Sequence, residues 1–125
     1  MSLLLDAGAL IAVERNDRDT IALIKHELLS RRTPITHGGI VGEVWRDGAR
    51  QARLARLLPA LDVVALDAAL GRRVGVLLGR TRMDDVNDAA LVLLAEDGDF
   101  VITSDPDDLE PLSHAAGVHV DIVLV

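Results

Sequence analysis

Carboxylates are the chemistry this sequence offers. Four of them stand where the chain changes character: Asp6 after the apolar run LLL, Glu43 in GEVWR, Asp88 in NDAALV and Asp105 in TSDP. Each has an ordinary reading on its own. Asp6 and Asp105 suit N-caps of the helices that follow them, and Pro106 strengthens this for Asp105. Glu43 suits an exposed helix position. Asp88 fits such a reading badly, because the seven residues after it, Ala89 to Ala95, are all apolar. A carboxylate at the head of a buried helix is costly unless it is paired, hydrogen-bonded or bound to a metal. From Asp84 to Glu110 there are ten carboxylates and no Lys or Arg that could pair with it. Clustered carboxylates stay ionised together only around a cation. Oxygen ligands, in a chain without Cys and without His at ligand spacing, select Mg2+ or Mn2+. Metal sites of that kind activate water and neutralise a phosphodiester as it is cleaved in line.

Four acids so far apart in sequence need a fold to gather them. Leu3 to Leu5 read as a buried strand turning into a helix at AGALIAVER. Ile21, Ile24 and Leu28 recur at helical spacing in a second helix, and Thr33 to Thr36 form a second strand. IVGEVWRDGAR, residues 40–50, reads as a helix carrying Glu43. Leu54 to Leu61 mark a further helix, and Asp62 to Leu66 a third strand. The stripe Leu66, Leu70, Val74 and Leu77 is another helix. Val86 to Ala95 is a buried helix by its Ala and Leu content, and Phe100 to Ile102 a fourth strand. Pro106 opens a helix that Gly117 ends, and Val118 to Val125 make a last strand. Strands alternating with helices over short connections predict an α/β sandwich with a mainly parallel sheet. Functional groups in such sheets collect beyond the carboxyl ends of the strands, where Asp6 and Asp105 fall.

At 125 residues the chain suits one domain, and with a single Phe and a single Trp its core must be aliphatic. The absence of Cys, of a basic N-terminal region and of any spanning apolar run predicts a soluble, cytoplasmic protein without a membrane segment. The net charge of −7 argues against adhesion to nucleic acid by overall charge. Its distribution is uneven, however: twelve of the thirteen basic residues are Arg, and eight of these lie between positions 46 and 82. Codon usage that places Arg on an ordinary solvated face accounts for this as well as a phosphate-contacting surface does.

LLLDAGALIAVER, GEVWR, DDVNDAALVLLA and VITSDPDDL, in this order and spacing, resemble the PIN-domain ribonucleases, in particular the VapC toxins of type II toxin-antitoxin pairs. The resemblance covers nearly the whole chain. It implies a single PIN domain over residues 1–125, a three-layer sandwich with a small sheet flanked by helices. It also implies a Mg2+-dependent endoribonuclease that cleaves RNA by metal-activated water and so inhibits translation and growth. A homodimer held in check by a VapB-like antitoxin belongs to the same expectation. The family pattern carries over to Asp6, Glu43, Asp88 and Asp105 as catalytic metal ligands. Asp85 and Asp108 stand as secondary ligands or outer partners, Asp85 doubling as an N-cap. Arg46 and Arg50, then Arg53 and Arg56, are the candidate RNA-phosphate contacts. One position departs from the pattern: many family members carry Ser or Thr two residues after the first acid, where this chain has Gly8.

Rival readings are a PIN-like module that binds RNA or a partner without cutting, and a metal-dependent DNA nuclease. A phosphoacceptor signalling domain would need an acid pair after the first strand and a Lys near the last strands; the only Lys is Lys25, on an early helix.

Overall fold

In the computed structural model, which describes residues 1–125, the apolar run at the start is a three-residue strand, β1 (Leu3–Leu5), buried throughout. Continuous hydrophobicity is what an inner strand of a parallel sheet requires, because helices cover both its faces. Asp6 caps α1 (Ala7–Glu14), accepting from the Ala9 N–H at 2.9 Å, and Asp17 caps α2 (Arg18–Leu29). The second strand, β2 (Ile35–His37), starts later than Thr33 and runs one residue further. Pro34 has no N–H to give a ladder, which moves the start past it; its carbonyl accepts from Asp62 N at 2.9 Å.

The next helix, α3 (Gly38–Val44), is shorter than its composition suggests, and Trp45 already has extended backbone. Gln51 ends it. This buried side chain donates to the Val44 carbonyl at 2.8 Å and accepts from the amides of Arg46 and Asp47 at 2.7 and 2.9 Å, so these groups need no further helical turn. Then follow α4 (Ala52–Leu57), a 3-10 turn at Leu58–Ala60, β3 (Asp62–Val64) and α5 (Ala68–Thr81). The apolar stripe of α5 buries Leu70, Val74 and Leu77. The rest is α6 (Val86–Leu94), β4 (Asp99–Thr103), α7 (Pro106–Ala116) and β5 (Val120–Leu124). Gly117 ends α7 in the left-handed conformation, φ 71°, which a residue without Cβ adopts at no steric cost.

All five strands are parallel, in the order β3-β2-β1-β4-β5. Leu3, Leu4 and Leu5 lie opposite Phe100, Val101 and Ile102. On the other side Leu4 lies opposite Ile35, and the buried Thr36 hydroxyl donates to the Leu5 carbonyl at 2.9 Å. From β1 the chain steps outward to β2 and β3, then returns to β4 and steps out the other way to β5. Right-handed crossovers put α1–α4 on one face and α5–α7 on the other. The packing agrees, with α1 against α2, α3 and α4, and α5, α6 and α7 each touching the other two. The result is a three-layer α/β sandwich.

Both central helices are buried to an unusual degree. In α1, Ala9, Leu10, Ala12 and Val13 are buried; in α6, Ala89, Ala90, Leu91 and Val92. Burying each such Leu or Val stabilises by about 1.5–3 kcal/mol. With β1 and β4 these helices make a rigid floor beneath Asp6 and Asp88. No helix is long and apolar enough to cross a membrane.

Candidate active site

The sheet reverses its order between β1 and β4, and in a doubly wound sheet the helices diverge there to leave a crevice beyond the strand ends. Asp6 opens onto it directly after β1. The Asp6 N–H continues the ladder to Ile102 O at 3.3 Å, which sets Asp6 level with Thr103, the last residue of β4. Its carboxylate is 5% exposed and accepts from the Ala9 and Gly8 amides and from Thr103. Burial pushes Asp6 above the usual carboxylate range and the charge of Glu43 adds to this, while those three hydrogen bonds hold it down. Thr103 also holds the loop that follows β4, because its hydroxyl oxygen accepts from the Asp105 N–H at 2.9 Å. One buried side chain thus ties the first acid to the backbone of the fourth.

The second corner is the junction of β2, α3 and α6. His37, fully buried at the end of β2, accepts at Nδ1 from Gly39 N–H at 3.1 Å, which leaves its proton on Nε2 to donate to the Asn87 carbonyl at 2.8 Å. Burial holds His37 below the usual imidazole value. The Asn87 side-chain amide donates to the Gly39 carbonyl at 3.2 Å and to the Glu43 carboxylate. A Cβ at Gly39 would collide with the Asn87 side chain and come within 3.0 Å of the His37 ring. Gly39 is therefore what lets α3 and α6 meet, and through Asn87 that meeting aims Glu43.

Asp85 caps α6, accepting from the Asp88 N–H at 2.9 Å. Asp88 is pushed up to about 7, first by burial, then by the charges of Asp85 and Asp6, a hydrogen bond with Asp85 and the charge of Glu43. Asp105 heads α7, but its side chain caps nothing. It is bound instead to Asp108, whose carboxyl is raised first by the hydrogen bond to Asp105 and then by the charges of Asp105 and Asp85. Asp6, Glu43, Asp85 and Asp88 thus feel one another's charge, and Asp105 joins through Thr103 and Asp108. No Lys, Arg or His forms an ion pair with any of them. No three His, Asp or Glu side chains stand close enough to share an ion as they are. The donors are all oxygen, which fits a hard cation such as Mg2+ or Mn2+.

The space that a side chain at position 8 would fill is held by Ser104. A Cβ there would overlap the Ser104 hydroxyl and lie 2.9 Å from its Cβ and 3.0 Å from its N. The hydroxyl that does bind Asp6 comes from the strand end, at Thr103, rather than from α1. Gly8→Ser should overpack the contact with Ser104 and cost about 1–3 kcal/mol. Ser104→Gly in the same chain should recover part of the loss and leave the backbone share. Thermal melts of both single variants and the double would measure it, and an unperturbed Gly8→Ser would contradict the geometry.

Sequence reasoning missed Thr103, Asn87 and the linking role of His37. Thr103 and Asn87 lie inside the TSD and NDA strings and so carried a positional signal; nothing in the sequence pairs His37 with Asn87. The four arginines next to Glu43 in sequence have local partners. Arg46 donates to the Gly42 and Trp45 carbonyls at 3.1 and 2.7 Å, and Arg50 lies 3.9 Å from Asp47. Arg53 donates to Glu14 O at 3.2 Å and Arg56 to Ala52 O at 3.3 Å. The largest surface cavity, about 660 Å3, lies elsewhere, around the end of α7 and the start of β5. The repulsion of the acids for one another is the better guide to chemistry, since that cavity contains none of them.

Fold and site together define a doubly wound parallel α/β domain with a cluster of acids at its switch point. No protein-family model matches the chain, and no curated protein matches it.

Proposed function

We propose that this protein is a Mg2+-dependent endoribonuclease of the PIN-domain, VapC-toxin kind, with Mn2+ as an alternative ion. The observation that carries the proposal is Asp88, a half-buried carboxylate raised to about 7 by burial and by three neighbouring acids, with no cation to pair with it. Such a group is costly to the fold, and strongly perturbed acids gathered at a strand-end crevice point to function.

Asp6, Glu43, Asp88 and Asp105 would hold the ion, with Asp85 and Asp108 beside them. When bound, the ion lowers the pKa of water and neutralises charge on the phosphodiester. The protein itself supplies orientation. The Ala9 and Gly8 amides and Thr103 fix Asp6, and Asn87 fixes Glu43. The buried faces of α1 and α6 close the floor of the crevice to solvent. No Cys is present, and none of the four acids needs to attack phosphorus. A cytoplasmic homodimer controlled by a VapB-like antitoxin completes the proposal; it rests on resemblance, as does the choice of RNA over DNA.

The test is cleavage of total RNA by the purified protein in Mg2+ or Mn2+, with EDTA and an Asp6→Asn, Asp88→Asn double variant as controls. Metal-dependent cuts at defined sites, absent from both controls, are the expected result. A folded protein that cuts neither RNA nor DNA would return the fold to a binding role.

A further inference from the structure

We infer that the outer face of α5 is a phosphate-binding track that holds single-stranded RNA leading away from the acidic crevice. The choice of RNA rests on the nuclease reading; the cationic track rests on the structure. Between Ala68 and Thr81 the helix carries Arg72, Arg73 and Arg80 and not one acid, in a chain of net charge −7. All three are exposed, and none makes an ion pair or a side-chain hydrogen bond, unlike Arg46, Arg50, Arg53 and Arg56. With exposed Val76 they rim a groove of about 340 Å3 that Leu77, Leu93 and Ala116 also line. At about 3.6 residues per turn, Arg72, Val76, Arg80 and Arg73 fall within an arc of roughly 100° on one side of the helix. Arg72 and Arg80 are about 12 Å apart along the axis, room for about three phosphates at the ~3.4 Å per nucleotide of a stacked strand.

The track points at the site. The short connection from Arg82 to Asp85 joins the end of α5 to the head of α6, so Arg80 stands at the end of the track nearer in the chain to Asp85 and Asp88. Guanidinium forks suit phosphate oxygens, and an anionic strand held here would reach acids that repel it only when no cation is bound. A second copy of the chain is a poor occupant, since a two-fold contact through this face would set arginines against arginines.

The test is fluorescence anisotropy of a 5′-labelled 12-nucleotide single-stranded RNA in EDTA, where no metal-dependent cutting occurs. Binding by an Arg72→Glu, Arg73→Glu, Arg80→Glu variant should fall at least tenfold, and its salt dependence, log Kd against log salt, should flatten by about 2 for three lost phosphate contacts. The corresponding Lys variant should keep most of the binding and controls for folding. An Arg18→Glu, Lys25→Glu variant, altered at exposed positions of α2, should bind like the wild type. Equal binding by the triple Glu variant, no binding by the wild type at low salt, or equally effective displacement by polyglutamate would overturn the inference. RNA bound through α5 but left uncut in Mg2+ would sink the nuclease reading and leave the track standing. A dinucleotide too short to reach α5 should be cut equally well by wild type and triple variant.

Discussion

Asp88→Asn is expected to make the metal-free protein more stable while removing the cleavage activity proposed above. The wild-type carboxyl titrates near 7 instead of near 3.8, so the folded state holds this proton more tightly than the unfolded chain does. The stability it lends is full below about pH 4 and is lost as pH rises through 7. At pH 8.5 the wild type carries a charge that burial and three neighbouring acids oppose, whereas Asn carries none and can still donate to Asp85. The shift alone corresponds to about 4 kcal/mol. Asp88 is only half-buried, and solvent screening reduces that to on the order of 1–2 kcal/mol. A rise in Tm of about 3–8 °C at pH 8.5 in EDTA, shrinking towards pH 5, is the expected result. Adding Mg2+ at pH 8.5 should stabilise the wild type and leave the variant little changed, because binding to the folded state alone raises stability by mass action. RNA cleavage should fall at least 100-fold, since altering even groups behind the ligands of a metal site costs 10–100-fold. A variant no more stable than the wild type at pH 8.5 would show that burial and the neighbouring acids do not oppose the Asp88 charge.

His37→Ala should cost about 3 kcal/mol, lowering Tm by about 10 °C. The side chain is fully buried, and its loss leaves a cavity together with an unpartnered Gly39 amide and Asn87 carbonyl. The pH dependence is the reverse of that of Asp88. A folded value held below 6.5 means that the unfolded chain takes up the proton first. The contribution is therefore full above about pH 6.5 and is lost as pH falls towards the folded value. Protonation would also set an Nδ1–H against the Gly39 N–H. Since Asp88 stabilises over part of the same range, melts should be compared in the Asp88→Asn background. There the His37 protein should lose stability relative to His37→Asn between pH 7 and 5. Parallel curves would remove His37 as the acid-sensitive link.

Much of the architecture was legible because apolar periodicity and punctuation agreed. The unbroken Leu3–Leu5 run, the Ala-rich stretch after Asp88 and the Pro106 to Gly117 brackets each led to the element observed. The failures occurred where a distant or neighbouring side chain overrode a local signal. Residues 45–50 look helical, and only the reach of the Gln51 amide back to Val44, Arg46 and Asp47 explains why they are not. The carboxylates stood out by their clustering and their lack of basic partners. What holds them did not, because Thr103, Asn87 and His37 act across strands and helices far apart in sequence. Nor could Arg-rich composition separate arginines that bind carbonyls, such as Arg46 and Arg53, from those left open on α5.

The central position of β1 also sets a timetable. Leu3 pairs with Phe100, so the second side of the innermost strand stays open until 97 further residues have been added. At roughly 5–20 residues per second, a ribosome needs about 5–20 s to supply them. Asp105 comes later still, and β5, which flanks β4, follows it. A nascent chain therefore carries Asp6 and Glu43 long before it can complete the crevice. If the crevice degrades RNA, the messenger being read meets no finished site until Asp105 and the elements after it have been made.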